Sequence, residues 1–157
     1  MMLNVFVNGT KLDIVVSVQK SGFTWALDRG NGTLIWSTEA GPGGSAGGLT
    51  WGAAVDERSV YTNIANSDHE NFTLKPSAKN TTAGGWVAMD AETGKILWST
   101  ADPANATASG PVKMANGVLF GGALVYGGMS VSDGCIYVGN GSPSVATGTS
   151  LFAVCLD

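Results

Sequence analysis

Charge is what this sequence has least of. Asp, Glu, Lys and Arg together make up 13% of the 157 residues, about half the usual share. Lys and Arg number 8 against 12 Asp and Glu, for a net charge of −4. Phosphate contacts need clustered basic groups, so a nucleic-acid partner is excluded. No apolar run approaches the ~18 residues of a membrane-spanning helix, so no membrane partner is expected. Histidine occurs once, at His69, and every histidine-dependent mechanism must pass through it. Ser67, Asp68 and His69 have no Gly-x-Ser-x-Gly elbow to make a nucleophile of a serine. Cysteine occurs twice, at Cys135 and Cys155, with no Cys-x-x-Cys-His for covalent haem. The N-terminus, MMLNVFVNGT, lacks a basic region and has too short an apolar core for a signal peptide.

Glycine is present in abundance, with 23 residues, roughly twice its ordinary frequency. Short apolar runs separated by glycine turns predict an all-β chain of about one domain. The organising stretch is 86–100, WVAMDAETGKILWST. Residues 86–90 read as one strand, 91–94 as a turn and 95–100 as the return strand. Asp90 is placed to accept from the turn's own amides, and Gly94 supplies the positive φ that closes the loop. The same hairpin occurs at 25–38, WALDRGNGTLIWST. Ala26, Asp28, Gly32 and Trp36 match Ala88, Asp90, Gly94 and Trp98 without a gap. Cys155-Leu156-Asp157 looks like the opening of a third copy.

In chain order, 13–18 and 23–28 form strands about a turn at Gly22, and 33–38 completes the first hairpin. GPGGSAGG, 41–48, contains a formal Gly-x-Gly-x-x-Ala. A dinucleotide loop needs a helix after it, and LTWGAAV reads instead as a strand. The glycine run is therefore a flexible crossing between sheets. Residues 50–55 and 60–65 form a hairpin about DERS, and a polar insertion, 66–83, separates it from Trp86. Asn116-Gly117 and Asp133-Gly134 each mark a further hairpin. A last strand runs over 150–157.

AMDAETGKILW resembles the tryptophan-docking repeat of quinoprotein (PQQ-repeat) β-propellers, A-x-D-x-x-T-G-K-x-x-W. Ala88, Asp90, Thr93, Gly94, Lys95 and Trp98 fill its fixed positions, and the first copy departs at Asn31 and Thr33. Together with GPGG, WGAAVDERSVYTNIANSD and GGMSVSDGCIYVGNG, it is similar to plant PQQ-repeat proteins related to bacterial polyvinyl-alcohol dehydrogenase. The resemblance implies a partial β-propeller over 1–157, built of four-stranded antiparallel blades. Residues 12–40 are then a partial blade and 49–102 a complete one. Residues 109–157 are remnants of two blades from which a docking hairpin is missing, with only 122–126 between successive hairpins. Trp36 and Trp98 become wedges between blades rather than cofactor-stacking rings. Two or three blades cannot close, so the partners expected are the remaining blades of a propeller or further copies of the chain.

The implied activity is a quinone-dependent alcohol dehydrogenase, with the chain inactive alone and catalytic residues unknown. The alternative is a non-catalytic extracellular scaffold that binds a glycan or a protein. The implied cofactor is pyrroloquinoline quinone, with calcium as an accompanying ion. Trp51, Asp56, Asn66, Asp68, His69 and Asn71 are the residues placed nearest a cofactor face, and none matches a family ligand individually. The alternative for His69 is a solvated loop histidine. The vicinal cysteine pair that lies against the quinone in bacterial alcohol dehydrogenases of this fold is absent. Cys135 and Cys155 could pair in an oxidising compartment or remain buried thiols. The family implies a secreted parent. Six of ten asparagines begin a glycosylation acceptor: Asn8, Asn31, Asn71, Asn80, Asn105 and Asn140. Asn-Gly turns would account for some of these without any glycan.

Overall fold

The computed structural model describes residues 1–122, 129–139 and 151–155, and its described residues are all-β. The first sheet is a meander of four antiparallel strands, β1 (Met2–Val7), β2 (Thr10–Val18), β3 (Phe23–Asp28) and β4 (Leu34–Glu39). It begins at Met2, ahead of the partial blade expected from residue 12. The β1–β2 turn is Asn8-Gly9, with φ of 49° and 78°, the type I′ geometry whose twist suits a two-residue hairpin.

The second sheet contains β5 (Ala54–Val55) and β6 (Ser59–Ile64). A small two-stranded ladder, β7 (Phe72–Thr73) with β8 (Asn80–Thr81), then folds the polar insertion. The chain returns through β9 (Gly85–Asp90) and β10 (Ile96–Ala101), giving the sheet order β10-β9-β6-β5. Strand β5 is shorter than the 50–55 expected from sequence. Trp51 and Gly52 sit at φ 63° and 87°, outside the β region, so the ladder cannot reach back past Ala53.

Two smaller sheets follow. Strands β11 (Val112–Ala115) and β12 (Val118–Gly121) pair as a hairpin about Asn116-Gly117. Strands β13 (Met129–Ser132), β14 (Cys135–Gly139) and β15 (Leu151–Cys155) form a three-stranded sheet. Cys135 and Cys155 face each other across β14 and β15 and are joined by a disulfide. The buried-thiol reading is thereby corrected. Opposed positions on adjacent strands put the two Cβ atoms within bridging range, and Cys155 is exposed rather than buried in a core. Residues 123–126, Asn140 and Asp157 lie outside the described residues.

The architecture is that of a partial β-propeller with antiparallel, four-stranded blades. Its order follows from period-2 burial in the second sheet. Val60, Ile64, Val87 and Met89 point to one side and pack with Val5, Ile14, Val16, Ala26 and Trp36 of the first sheet. Tyr61 and Ala88 point to the other side and pack with Val112, Met114 and Leu119 of the β11–β12 hairpin. Strand β6 is consequently buried along its whole length. The glycine crossing binds the first two sheets at one end. Gly48 donates its N–H to the Lys20 carbonyl at 2.8 Å and accepts from Ala65 N–H at 2.7 Å. Any Cβ on Gly48 would strike the backbone of Lys20, Gly22 and Pro42.

Candidate functional site

The two repeated hairpins have one turn chemistry. Asp90 Oδ1 accepts from the amides of Glu92 and Thr93 and from the Thr93 hydroxyl, at 3.1, 2.9 and 2.7 Å. Asp28 Oδ1 accepts from the amides of Gly30 and Asn31, at 2.7 and 3.1 Å. Gly94 and Gly32 close these loops at φ 72° and 75°. The departure at Asn31 keeps the second turn bond. Its side-chain oxygen accepts from Thr33 N–H at 2.8 Å, where the Thr93 hydroxyl accepts from Lys95 N–H at 3.3 Å.

These turns meet tryptophan at one sheet-to-sheet joint. Trp36 is 7% exposed. Its indole N–H donates to the carbonyl of Ala91 at 2.9 Å, and the Thr38 hydroxyl donates to the carbonyl of Gly94 at 2.7 Å. A Cβ on Gly94 would lie 2.5 Å from the Trp36 ring, so the ring rests directly on the glycine. Ala26 and Ala88, fully buried, stand directly across the ladder from Trp36 and Trp98. Trp98 is half-buried, with its ring 6.2 Å from that of Tyr61.

The residues named as nearest a cofactor face fall into separate places. Trp51 is exposed and lines an open cleft of about 750 Å³ with Gln19, Lys20, Leu49, Thr50 and Ser109. Asn66 is fully buried and structural. Its amide donates to the carbonyls of Glu70, Thr82 and Ala83, and its oxygen accepts from Glu70 N–H. Asp68 caps the glycine crossing, accepting from the amide and hydroxyl of Ser45 at 3.0 and 3.2 Å. His69 is exposed, with Nδ1 3.3 Å from the Thr82 carbonyl oxygen. Asn71 lines a different cleft, beside Glu39, Phe72 and Lys75.

Asp56 lies at the opposite end of β6 from Asn66, a separation of about 17–20 Å along a strand of that length. It accepts from the Tyr61 hydroxyl at 2.7 Å and from the amides of Arg58 and Ser59 at 2.9 and 2.8 Å. Partial burial pulls its carboxyl upward. The Tyr61 hydroxyl, the two amides and the charge of Arg58 together outweigh that and hold it below the ordinary carboxylate value. Tyr61 is pushed above the ordinary phenol value by burial and by the Asp56 carboxylate. The depressed Asp56 contributes stability above about pH 4, lost as pH falls through its folded value. The raised Tyr61 contributes stability below about pH 10, lost as pH rises through its folded value. Tyr61→Phe is therefore expected to raise the acid-unfolding midpoint, as read by circular dichroism across pH. It should leave the midpoint untouched if the Asp56 contact is idle.

Among the described residues no three His, Cys, Asp or Glu side chains gather closely enough to hold a metal ion. The Trp51 cleft brings one cation, Lys20, whereas a tricarboxylate quinone needs several donors. Among the described residues, those named do not fit calcium and quinone as a set. Asn66, missed as a structural residue in the sequence, is where substitution should be felt. Asn66→Ala leaves the carbonyls of Glu70, Thr82 and buried Ala83 and the Glu70 N–H without their side-chain partner, an expected loss of about 2–3 kcal/mol, measurable by urea denaturation.

Sequence comparison adds the relation. Over 82 residues, 52% of the chain, it is 33% identical to a protein of Sphingopyxis sp. (strain 113P3) named polyvinylalcohol dehydrogenase. Over 53 residues it is 42% identical to a Pseudomonas sp. protein of the same name. The chain is similar to polyvinyl-alcohol dehydrogenases. The matched stretches span 12% and 8% of those relatives' own lengths. No protein-family profile matches the chain. No helix among its described residues is long and apolar enough to cross a membrane. The acceptor asparagines Asn8, Asn31, Asn71, Asn80 and Asn105 are all exposed.

Proposed function

We propose that this chain supplies blades to a propeller of the polyvinyl-alcohol dehydrogenase type, that its parent enzyme uses pyrroloquinoline quinone, and that the chain alone does not oxidise alcohols. The observation that carries the reading is the Trp36 joint. The elements that pack well here are those that join one sheet to the next. The candidate ligands, in contrast, are divided between clefts and between the two ends of β6. Docking to further blades, or to further copies, fits the exposure of Met2, Phe6 and Leu34 on the first sheet. Light scattering should show self-association that rises with concentration.

The test is the purified chain with pyrroloquinoline quinone, calcium, polyvinyl alcohol and an electron-accepting dye. The expected outcome is no dye reduction and no saturable change in tryptophan fluorescence on adding the quinone. Turnover above a protein-free control contradicts the reading. A second reading, an extracellular scaffold that binds a glycan or protein, draws on the exposed acceptor asparagines. Expression through a secretory pathway should then give a mass reducible by endoglycosidase, and dye reduction by the purified chain removes this reading too.

A further inference from the structure

The polar insertion has a cleft of its own, with a volume of about 440 Å³. That lies within the ~300–1,000 Å³ of small-ligand sites. The insertion lines it with Glu70, Asn71, Phe72 and Lys75, and the start of the glycine crossing lines it with residues 40–43. Phe72 is half-buried and held in place, because it packs on the core shared by the first two sheets. Ser99 also lines the cleft. Its hydroxyl oxygen accepts from Lys75 N–H at 2.8 Å and keeps its own hydrogen to donate.

Asn71 is exposed, lines this cleft and opens the acceptor Asn71-Phe72-Thr73. Among the described residues its carboxamide has no hydrogen-bond partner. Asn31 and Asn80 are acceptors too, but their side-chain oxygens accept from the Thr33 N–H and the Thr73 hydroxyl, each at 2.8 Å. Asn8 occupies a hairpin tip, where a Cβ on adjoining Gly9 would meet nothing within 4 Å. Asn71 combines an unengaged amide with a walled cleft.

We propose that Asn71 carries an N-linked glycan whose first sugar, N-acetylglucosamine, folds back into this cleft against Phe72. In the transfer, the Asn71 carboxamide nitrogen bonds to the anomeric carbon of a lipid-pyrophosphate-linked oligosaccharide. The bond from that carbon to the pyrophosphate oxygen breaks, the lipid pyrophosphate departs and the amide gives up one proton. Phe72 turns the electron-rich face of its ring to the sugar's C–H groups. Glu70 accepts from sugar hydroxyls, while Lys75 and Ser99 donate to sugar oxygens. A neutral sugar suits this lining, which holds Glu39 and Glu70 against Lys75, because it uses donors and acceptors alike. The proposal rests on the extracellular reading and makes Asn71 a glycan anchor rather than part of a cofactor face.

The test uses the full chain secreted from a eukaryotic host and digested, still folded, with a peptide-N-glycosidase in heavy-oxygen water. Release turns each glycosylated Asn into a labelled Asp, so peptide mass spectrometry reads the rate at every acceptor. The glycan on Asn71 is expected to leave about tenfold more slowly than those on the other acceptors. Phe72→Leu keeps the apolar packing and loses the ring face, and should remove that protection. Phe72→Tyr keeps the ring and should retain it. Glycans elsewhere with none on Asn71, or one on Asn71 released as fast as the rest, overturn the proposal and leave the extracellular reading standing. Equal rates in Phe72→Leu and the parent chain overturn it as well. No glycan at any acceptor removes the extracellular reading and this proposal with it.

Discussion

Replacing Gly94 by alanine should destabilise this protein far more than the same change at Gly32. The two glycines hold the same place in the repeat and nearly the same φ, 72° and 75°. An alanine forced into the left-handed region costs about 1–2 kcal/mol, and both sites incur that. They differ in what the new methyl group meets. At Gly32 nothing lies within 4 Å, whereas at Gly94 the Trp36 ring and the Thr38 hydroxyl lie at 2.5 and 2.7 Å. Overpacking of a fitted contact adds about 1–3 kcal/mol. Urea denaturation followed by tryptophan fluorescence should therefore place Gly94→Ala at roughly twice the loss of Gly32→Ala. Equal losses would mean that the glycine serves its own turn and nothing beyond it.

Trp36→Ala is the second large effect. Emptying the space of a buried tryptophan costs about 3–5 kcal/mol, and here it also leaves the Ala91 carbonyl without its donor. Trp98→Ala should cost visibly less, about 1–2 kcal/mol, because its ring is only half-covered. Trp36→Phe separates the two contributions. It keeps most of the ring and loses the N–H, for an expected cost of about 1–3 kcal/mol from the unpaired carbonyl. The same urea titration measures all three. The order Trp98→Ala above Trp36→Ala would contradict the assignment of the joint.

Much of the fold was legible because the local chemistry of each turn is complete in the sequence. Asp90, Thr93 and Gly94 make the second hairpin without help from the rest of the chain. Asn116-Gly117 and Asp133-Gly134 do the same for later hairpins, at φ values between 49° and 76°. Asn8-Gly9 carries the identical signal and closes β1 onto β2, a strand ahead of the partial blade expected from residue 12. Strand β5 went the other way. WGAAV has strand composition, but the left-handed turn at Trp51 and Gly52 is a tertiary choice that no propensity shows.

The site was less legible for the same reason. Asp68, His69 and Asn71 look like a functional cluster because they are polar neighbours in sequence. The insertion turns them toward different partners: Ser45, the Thr82 carbonyl and a cleft beside Lys75. Asn66 looks like one more loop asparagine, yet its buried side chain holds that insertion together through bonds to Glu70, Thr82 and Ala83. The disulfide required knowing that Cys135 and Cys155 are opposed on adjacent strands. Strand register depends on long-range pairing, which spacing alone leaves open.

The Trp36 indole, lying against Gly94, joins the first sheet to the second. Proton NMR of the intact chain addresses this directly. Expected are Gly94 Hα resonances shifted upfield by the ring current, cross-relaxation between them and the Trp36 ring protons, and slow solvent exchange of the Trp36 indole N–H. Gly94 Hα at unperturbed shifts, with a Trp36 indole exchanging as fast as that of half-exposed Trp25, would contradict it.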